Sequence, residues 1–130
     1  MSNGYLTEVG KKYILSSFFK GESIQDKLYI GLCGNISLEG QIEGEPVGHT
    51  GYMRVVLNGE SWKMADGPSI TTDPILFRNR GNGSWPEITT AFLSFGNALN
   101  SPVIAVSFLD HKRILFKGDA LEVPIKIRFS

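Results

Sequence analysis

Leu121-Glu122-Val123-Pro124-Ile125-Lys126-Ile127-Arg128-Phe129-Ser130 closes the chain with apolar residues at every second position. A period of 2 puts Leu121, Val123, Ile125, Ile127 and Phe129 on one face of a strand and Glu122, Lys126 and Arg128 on the other. One buried and one wet face is the pattern of an antiparallel sheet. Pro124 has no amide donor, so it predicts an edge position or a bulge. A terminal strand at an edge could also pair with another chain.

The same period recurs upstream. Lys27 to Cys33 aligns Leu28, Ile30 and Leu32. Tyr52 to Leu57 sets Met53, Val55 and Leu57 on one face and Tyr52, Arg54 and Val56 on the other. Glu87 to Phe95, Val103 to Leu109 and Arg113 to Phe116 are further apolar runs bounded by Gly96-Asn97, Asn100-Ser101-Pro102 and Gly118-Asp119. Before Gly21 the period is 3.6: Leu6, Val9, Tyr13, Ile14 and Phe18 predict an amphipathic helix over Thr7 to Phe19. Gly10 costs that helix about 1 kcal/mol relative to Ala, so its apolar stripe is expected to be held by packing on something larger. Short strands with turns and no helical pattern between them predict an all-β fold: an antiparallel β-sandwich, or an open barrel, with one short N-terminal amphipathic helix. The expected organisation is a single domain, 1–130, with the helix in 1–21 and the sandwich in 27–130. Three connections, Gly34 to Thr50, Asn58 to Asp73 and Arg78 to Ser84, are long enough to be functional loops.

Composition bounds the function. The 130 residues can bury roughly two-thirds of the extended chain's surface, enough for a core without staples. Fifteen glycines and six prolines imply many turns. Thirteen basic and thirteen acidic residues cancel, leaving no global field to attract nucleic acid or an anionic membrane. Neutrality also suits a subunit that packs against copies of itself. The lone Cys33 allows no intramolecular disulfide, and no run approaches the ~18 apolar residues of a membrane span, so folding in a cytoplasm is expected.

No catalytic set is expected. His49 and His111 lie in loops with no nucleophile motif beside them, and Cys33 in an apolar strand reads as a small core residue. Glu39, Glu43 and Glu45 could hold Ca²⁺ but lack the spacing of a calcium loop and read as a solvated acidic stretch. Asn79, Gly81, Asn82 and Gly83 between arginines could cradle a phosphate, but no Gly-Lys-Ser/Thr ending follows, so a hairpin loop is the better reading. Tyr52, Trp62 and Trp85 could stack on sugar faces, but filling a core or an interface is the better reading, least clearly so for Trp62 among polar neighbours. No cofactor and no metal are expected.

The order of elements resembles a family of small β-rich virion proteins of tailed bacteriophages, of the tail or tail-fibre type. The resemblance rests on a short helix, a strand like Leu28 to Leu32, an acidic loop, and Gly51, Tyr52, Arg54 and Val55 as a Gly-Tyr-x-Arg-Val segment. Trp62, the apolar pair Ile75 and Phe77, the strand-like Trp85, Ile88 and Thr89, and the Gly118-Asp119 turn continue it. Pro86 stands where a glycine is common, and the Phe-Pro pair expected near Phe77 is absent. The resemblance implies a non-enzymatic structural subunit of a phage particle (tail, tail fibre, baseplate or collar), made in the host cytoplasm. Its implied partners are itself, as a trimer or ring, and other virion proteins. A receptor- or carbohydrate-binding module of the adhesion apparatus, recognising a host surface glycan, is the alternative.

Overall fold

The computed structural model describes residues 4–21, 27–37, 40–46, 51–98 and 100–128. Twelve strands and one helix follow in chain order: β1 (Gly4–Leu6), α1 (Glu8–Phe19), β2 (Leu28–Cys33), β3 (Asn35–Ile36), β4 (Ile42–Glu43), β5 (Val55–Leu57), β6 (Trp62–Met64), β7 (Ser69–Thr72), β8 (Ile75–Arg78), β9 (Ile88–Ser94), β10 (Val103–Arg113), β11 (Ala120–Val123) and β12 (Lys126–Arg128). Every described strand pairing is antiparallel. The fold is therefore β-dominated with one helix, as the periodicities predict.

One layer is the five-stranded sheet β1-β10-β9-β2-β5. Opposite it lie the pair β11-β8 and the sheet β12-β7-β6. Ile30, Leu32, Ala91, Leu93 and Ala105 from the first layer meet Ile75, Phe77, Val123, Ile125 and Ile127 from the second in one core, completed by Trp85, Ile88 and Leu115. Apolar side chains removed from water here supply most of the stabilisation, at ~25 cal/mol per Å².

The terminal stretch behaves as Pro124 foretells. It splits into β11 and β12 around Pro124-Ile125. Leu121 faces Phe77 and Ile127 faces Ile70, so six steps on one side oppose seven on the other, and the extra residue falls near Asp73-Pro74. This is a bulge. Val123, Ile125 and Ile127 all remain buried. Phe129 and Ser130 lie outside the described residues. On its other side β12 has β1 of the same chain close by.

Several expectations fail for physical reasons. The centre of the five-stranded sheet has no wet face: β9 is buried along almost its whole length and β2 from Ile30 onward. The hairpin β3–β4 brings Ile36 and Ile42 over Cys33, Phe92, Val103 and Val106, forming a second small core. The connection from Asn58 to Asp73 is not a loop, since a 3-10 turn, β6 and β7 occupy it. Of the run Arg113 to Phe116 only Arg113 is in a strand, and Leu115 is buried from an irregular segment whose carbonyl accepts the Trp85 N–H. Met53 is exposed while Tyr52 and Arg54 are buried, so the inward face changes phase before β5.

The helix is the largest departure. Thr7 caps α1, its hydroxyl accepting from the Gly10 amide at 3.0 Å. Gly10 is the one buried residue of α1, and a Cβ there would lie 2.2 Å from the Ile104 carbonyl oxygen. Close approach of the helix backbone to β10 is what the glycine provides. The apolar stripe packs only in part: Leu6 and Tyr13 are half-buried, but Val9, Ile14 and Phe18 are exposed, as are Leu15 and Phe19.

Candidate functional site

Two places stand out, one polar and internal, the other apolar and external. The polar one begins at Gly51, whose φ of +80° favours glycine and whose Cβ, if present, would lie 2.7 Å from the Gly81 nitrogen. Past that turn Tyr52 and Arg54 both aim inward. Arg54 Nε and Nη2 donate to Glu45 Oε2 and Oε1, each at 2.8 Å. Its Nη1 donates to Ser94 Oγ at 3.1 Å and to the Gly96 carbonyl at 2.9 Å. The guanidinium carbon also sits 4.9 Å from the Phe92 ring centroid. Tyr52 donates its hydroxyl to Glu45 Oε2 at 2.6 Å and accepts the Leu32 N–H at 3.0 Å.

The side chains of Arg54 and Glu45 are only 2% and 9% exposed, so this is a buried, bidentate ion pair. Burial opposes the guanidinium charge, but the bonds to Glu45 and its negative charge outweigh it, and the Arg54 pKa moves up. Burial, followed by the neighbouring Glu45 carboxylate, pushes the Tyr52 phenol above its ordinary 10.0. Both carboxylate oxygens are engaged and the guanidinium is bonded through all three nitrogens. Such a network clamps the segment after β4 across the outer face of the sheet. It has little capacity left for a substrate.

The structure disperses the other candidate residues. His111 is exposed on β10, and His49 and Glu39 lie outside the described residues. Glu43 accepts from Asn35 Nδ2 at 2.9 Å on the surface, while Glu45 is held by Arg54, so these two carboxylates serve different partners. Among the described residues no three His, Cys, Asp or Glu side chains converge on a metal position. Cys33 is fully buried, and burial pushes its thiol from 9.0 up to about 12, which makes it inert as a nucleophile.

Asn79 is fully buried and organises its own loop. Its Nδ2 donates to the Gly83 and Leu115 carbonyls, and its Oδ1 accepts the Gly81 N–H. The Gly81 amide that a phosphate would need is thereby taken. Tyr52 and Trp85 are core residues in edge-to-face contact, with centroids 5.4 Å apart. Neither can offer a ring to a sugar. Trp62 alone of the three aromatic candidates is half-buried and reaches the surface.

That surface is the apolar place. Tyr13 and Ile14 of α1, Trp62 and Met64 of β6, and Ile70 and Ile127 line an open groove of about 650 Å³. Further along α1 from Ile14 come Phe18 and Phe19, 79% and 75% exposed and in edge-to-face contact at 5.0 Å. Leu15 and Met64 are also more than half exposed. The whole chain exposes 7965 Å², against ~6,800 Å² expected for its mass. The signal that the sequence reading passed over is the tandem Phe18-Phe19 with Leu15: one stripe cannot hold all the large apolar residues of α1, so some must face outward. No protein-family model matches the chain, and no curated protein matches it.

Proposed function

We propose that this chain is a non-enzymatic structural subunit of a bacteriophage particle, acting by protein–protein assembly. The observation that carries the assembly part is the apolar surface around α1, where Leu15, Phe18, Phe19 and Met64 stay in water although the sandwich has a filled core. Contiguous apolar surface of this kind marks an interaction site. The phage part rests on the order of elements and the Gly51-Tyr52-x-Arg54-Val55 segment. Each of those residues has an internal structural task, the turn at Gly51 and the clamp at Tyr52 and Arg54 among them. A motif used up in this way suits a family defined by its fold rather than by its chemistry.

A glycan-binding module is the weaker reading. The groove beside Trp62 is lined almost wholly by apolar groups, whereas sugar recognition needs convergent hydrogen-bonding groups. Mass spectrometry and antibody labelling of purified particles test the proposal. The chain is expected at fixed stoichiometry in intact particles; recovery only from the soluble lysate would overturn the virion assignment.

A further inference from the structure

We infer that the α1 surface is an interface between copies of this chain, with Phe18 of one copy seated in the apolar groove of another. This deepens the assembly reading proposed above and rests on it. Ile14 belongs to the groove wall, and Phe18, four residues on, stands one turn further along the same helix face. Among the described residues, a projecting ring and an unfilled groove are thus neighbours along one helix. A single sequence that carries both halves of a contact is complementary to itself, the condition for an interface between identical subunits.

The areas agree. Phe18 and Phe19 at 79% and 75% exposure leave ~150 Å² each in water, taking ~200 Å² for a whole ring side chain. With Leu15, and with Ile14 and Met64 of the groove wall, at 53%, 38% and 77%, the apolar patch reaches ~500 Å² before the rest of the wall is counted. A standard interface covers ~800 Å² per partner, and its central part is ~65% apolar, so the patch supplies the apolar share of one side. The groove itself would otherwise hold about 20 waters at ~30 Å³ each against walls that offer them almost no hydrogen bonds.

Charge does not stand against a second copy. The formal net charge is zero and no lining residue is charged, while α1 carries Glu8 beside Lys11 at 3.8 Å, with Lys12 next to them and Lys20 at its end. The whole chain therefore exerts no net self-repulsion on a copy, and the groove walls add no charge.

Light scattering with size exclusion on the intact chain, from about 1 to about 200 μM, tests the inference alongside the emission of Trp62. The expected result is a mass that is a multiple of 14.3 kDa, falling on dilution, with Trp62 emission shifting red as the groove opens to water. Trp85, 2% exposed, gives a constant background, and a Trp62→Phe variant should lose the shift. Phe18→Ser with Phe19→Ser should weaken self-association at least 100-fold while circular dichroism and melting stay those of a folded chain. Met53→Ser, at an equally exposed apolar site outside the groove, should change nothing. A monomer at 200 μM, or a double variant that assembles like the parent, overturns the inference. A monomeric chain found in particles would refute this interface while leaving the virion proposal standing, whereas a self-associating chain absent from particles would do the reverse.

Discussion

Replacing Arg54 with Met removes one side of the buried clamp and leaves the other in place. Arg54→Met keeps an unbranched side chain of similar reach in a space that is 2% exposed, so the change is chiefly one of charge and hydrogen bonding. Four donor contacts disappear, two to Glu45 and one each to Ser94 and the Gly96 carbonyl. Glu45, 9% exposed, keeps the Tyr52 hydroxyl as a donor but loses the opposite charge. Breaking a buried pair from one side costs about 3–5 kcal/mol, because the remaining charge is neither solvated nor compensated. Against a total of about 5–15 kcal/mol that is a large fraction. With a urea m-value of about 2 kcal/mol per M, the midpoint should fall by about 2 M. Urea titration at one fixed protein concentration, followed by circular dichroism, measures it. Adding Glu45→Met to Arg54→Met should recover much of the loss, leaving a deficit of about 1–3 kcal/mol from the unpaired Tyr52 hydroxyl. A midpoint shift below about 0.5 M for Arg54→Met, or a double variant as unstable as the two single losses combined, would refute the clamp.

Alkaline pH should destabilise the fold in two stages. Cys33, raised to about 12 from 9.0, and Tyr52, raised from 10.0, keep their protons in the folded chain after the unfolded chain has lost them. Their contribution is complete below pH 9 and is lost as pH rises, at about 1.4 kcal/mol per pH unit from 9 to 10 and about twice that from 10 to 12. Melting temperatures at pH 8, 10 and 11 check this; a flat profile would contradict the burial of both groups. Trp85→Ala should cost about 3–5 kcal/mol, since the ring is 2% exposed and wedged against Tyr52, and a melting point within a degree or two of the parent would show the site to be loose.

What could be read from the chain beforehand follows from how locally each feature is encoded. The β class was legible because Leu121 to Ile127 and Lys27 to Cys33 carry their period in neighbouring residues. Pro124 announced the break between β11 and β12, and their edge positions, because its missing amide acts at that point. β6 and β7 were not legible: strands of three and four residues, Trp62–Met64 and Ser69–Thr72, are too short to display a period among Gly59, Gly67 and Pro68. The Glu45–Arg54 pair left no local trace either, since Arg54 occupies a strand-like alternation that a charged residue normally leaves on the wet face. Only the hairpin β3–β4 and the segment after it, by covering that face, turn it inward. The phase of Tyr52, Met53 and Arg54 is thus a tertiary effect.

Helix α1 fails in a different way, and the failure is informative. Its apolar spacing was correctly visible, and the inference that an apolar stripe must be covered by something larger is sound physics. Among the described residues the cover is incomplete: the helix meets the rest of the chain through Gly10 and the edge-to-face contact of Tyr13 with Phe95 at 4.8 Å, and Leu15, Phe18 and Phe19 are exposed. Twelve residues are too few for a stable helix on propensity alone, and Gly10 lowers that propensity further. The helix therefore depends on its Thr7 cap, on the glycine-mediated contact with β10, and on whatever covers the outer stripe. If copies of the chain supply that cover, assembly and helix order are linked: amide exchange in residues 11–19 should slow as concentration rises, while exchange in the core strands β2 and β9 stays unchanged. Protection of α1 that is independent of concentration would place the stabilisation wholly within the single chain and leave the exposed phenylalanines without a structural role.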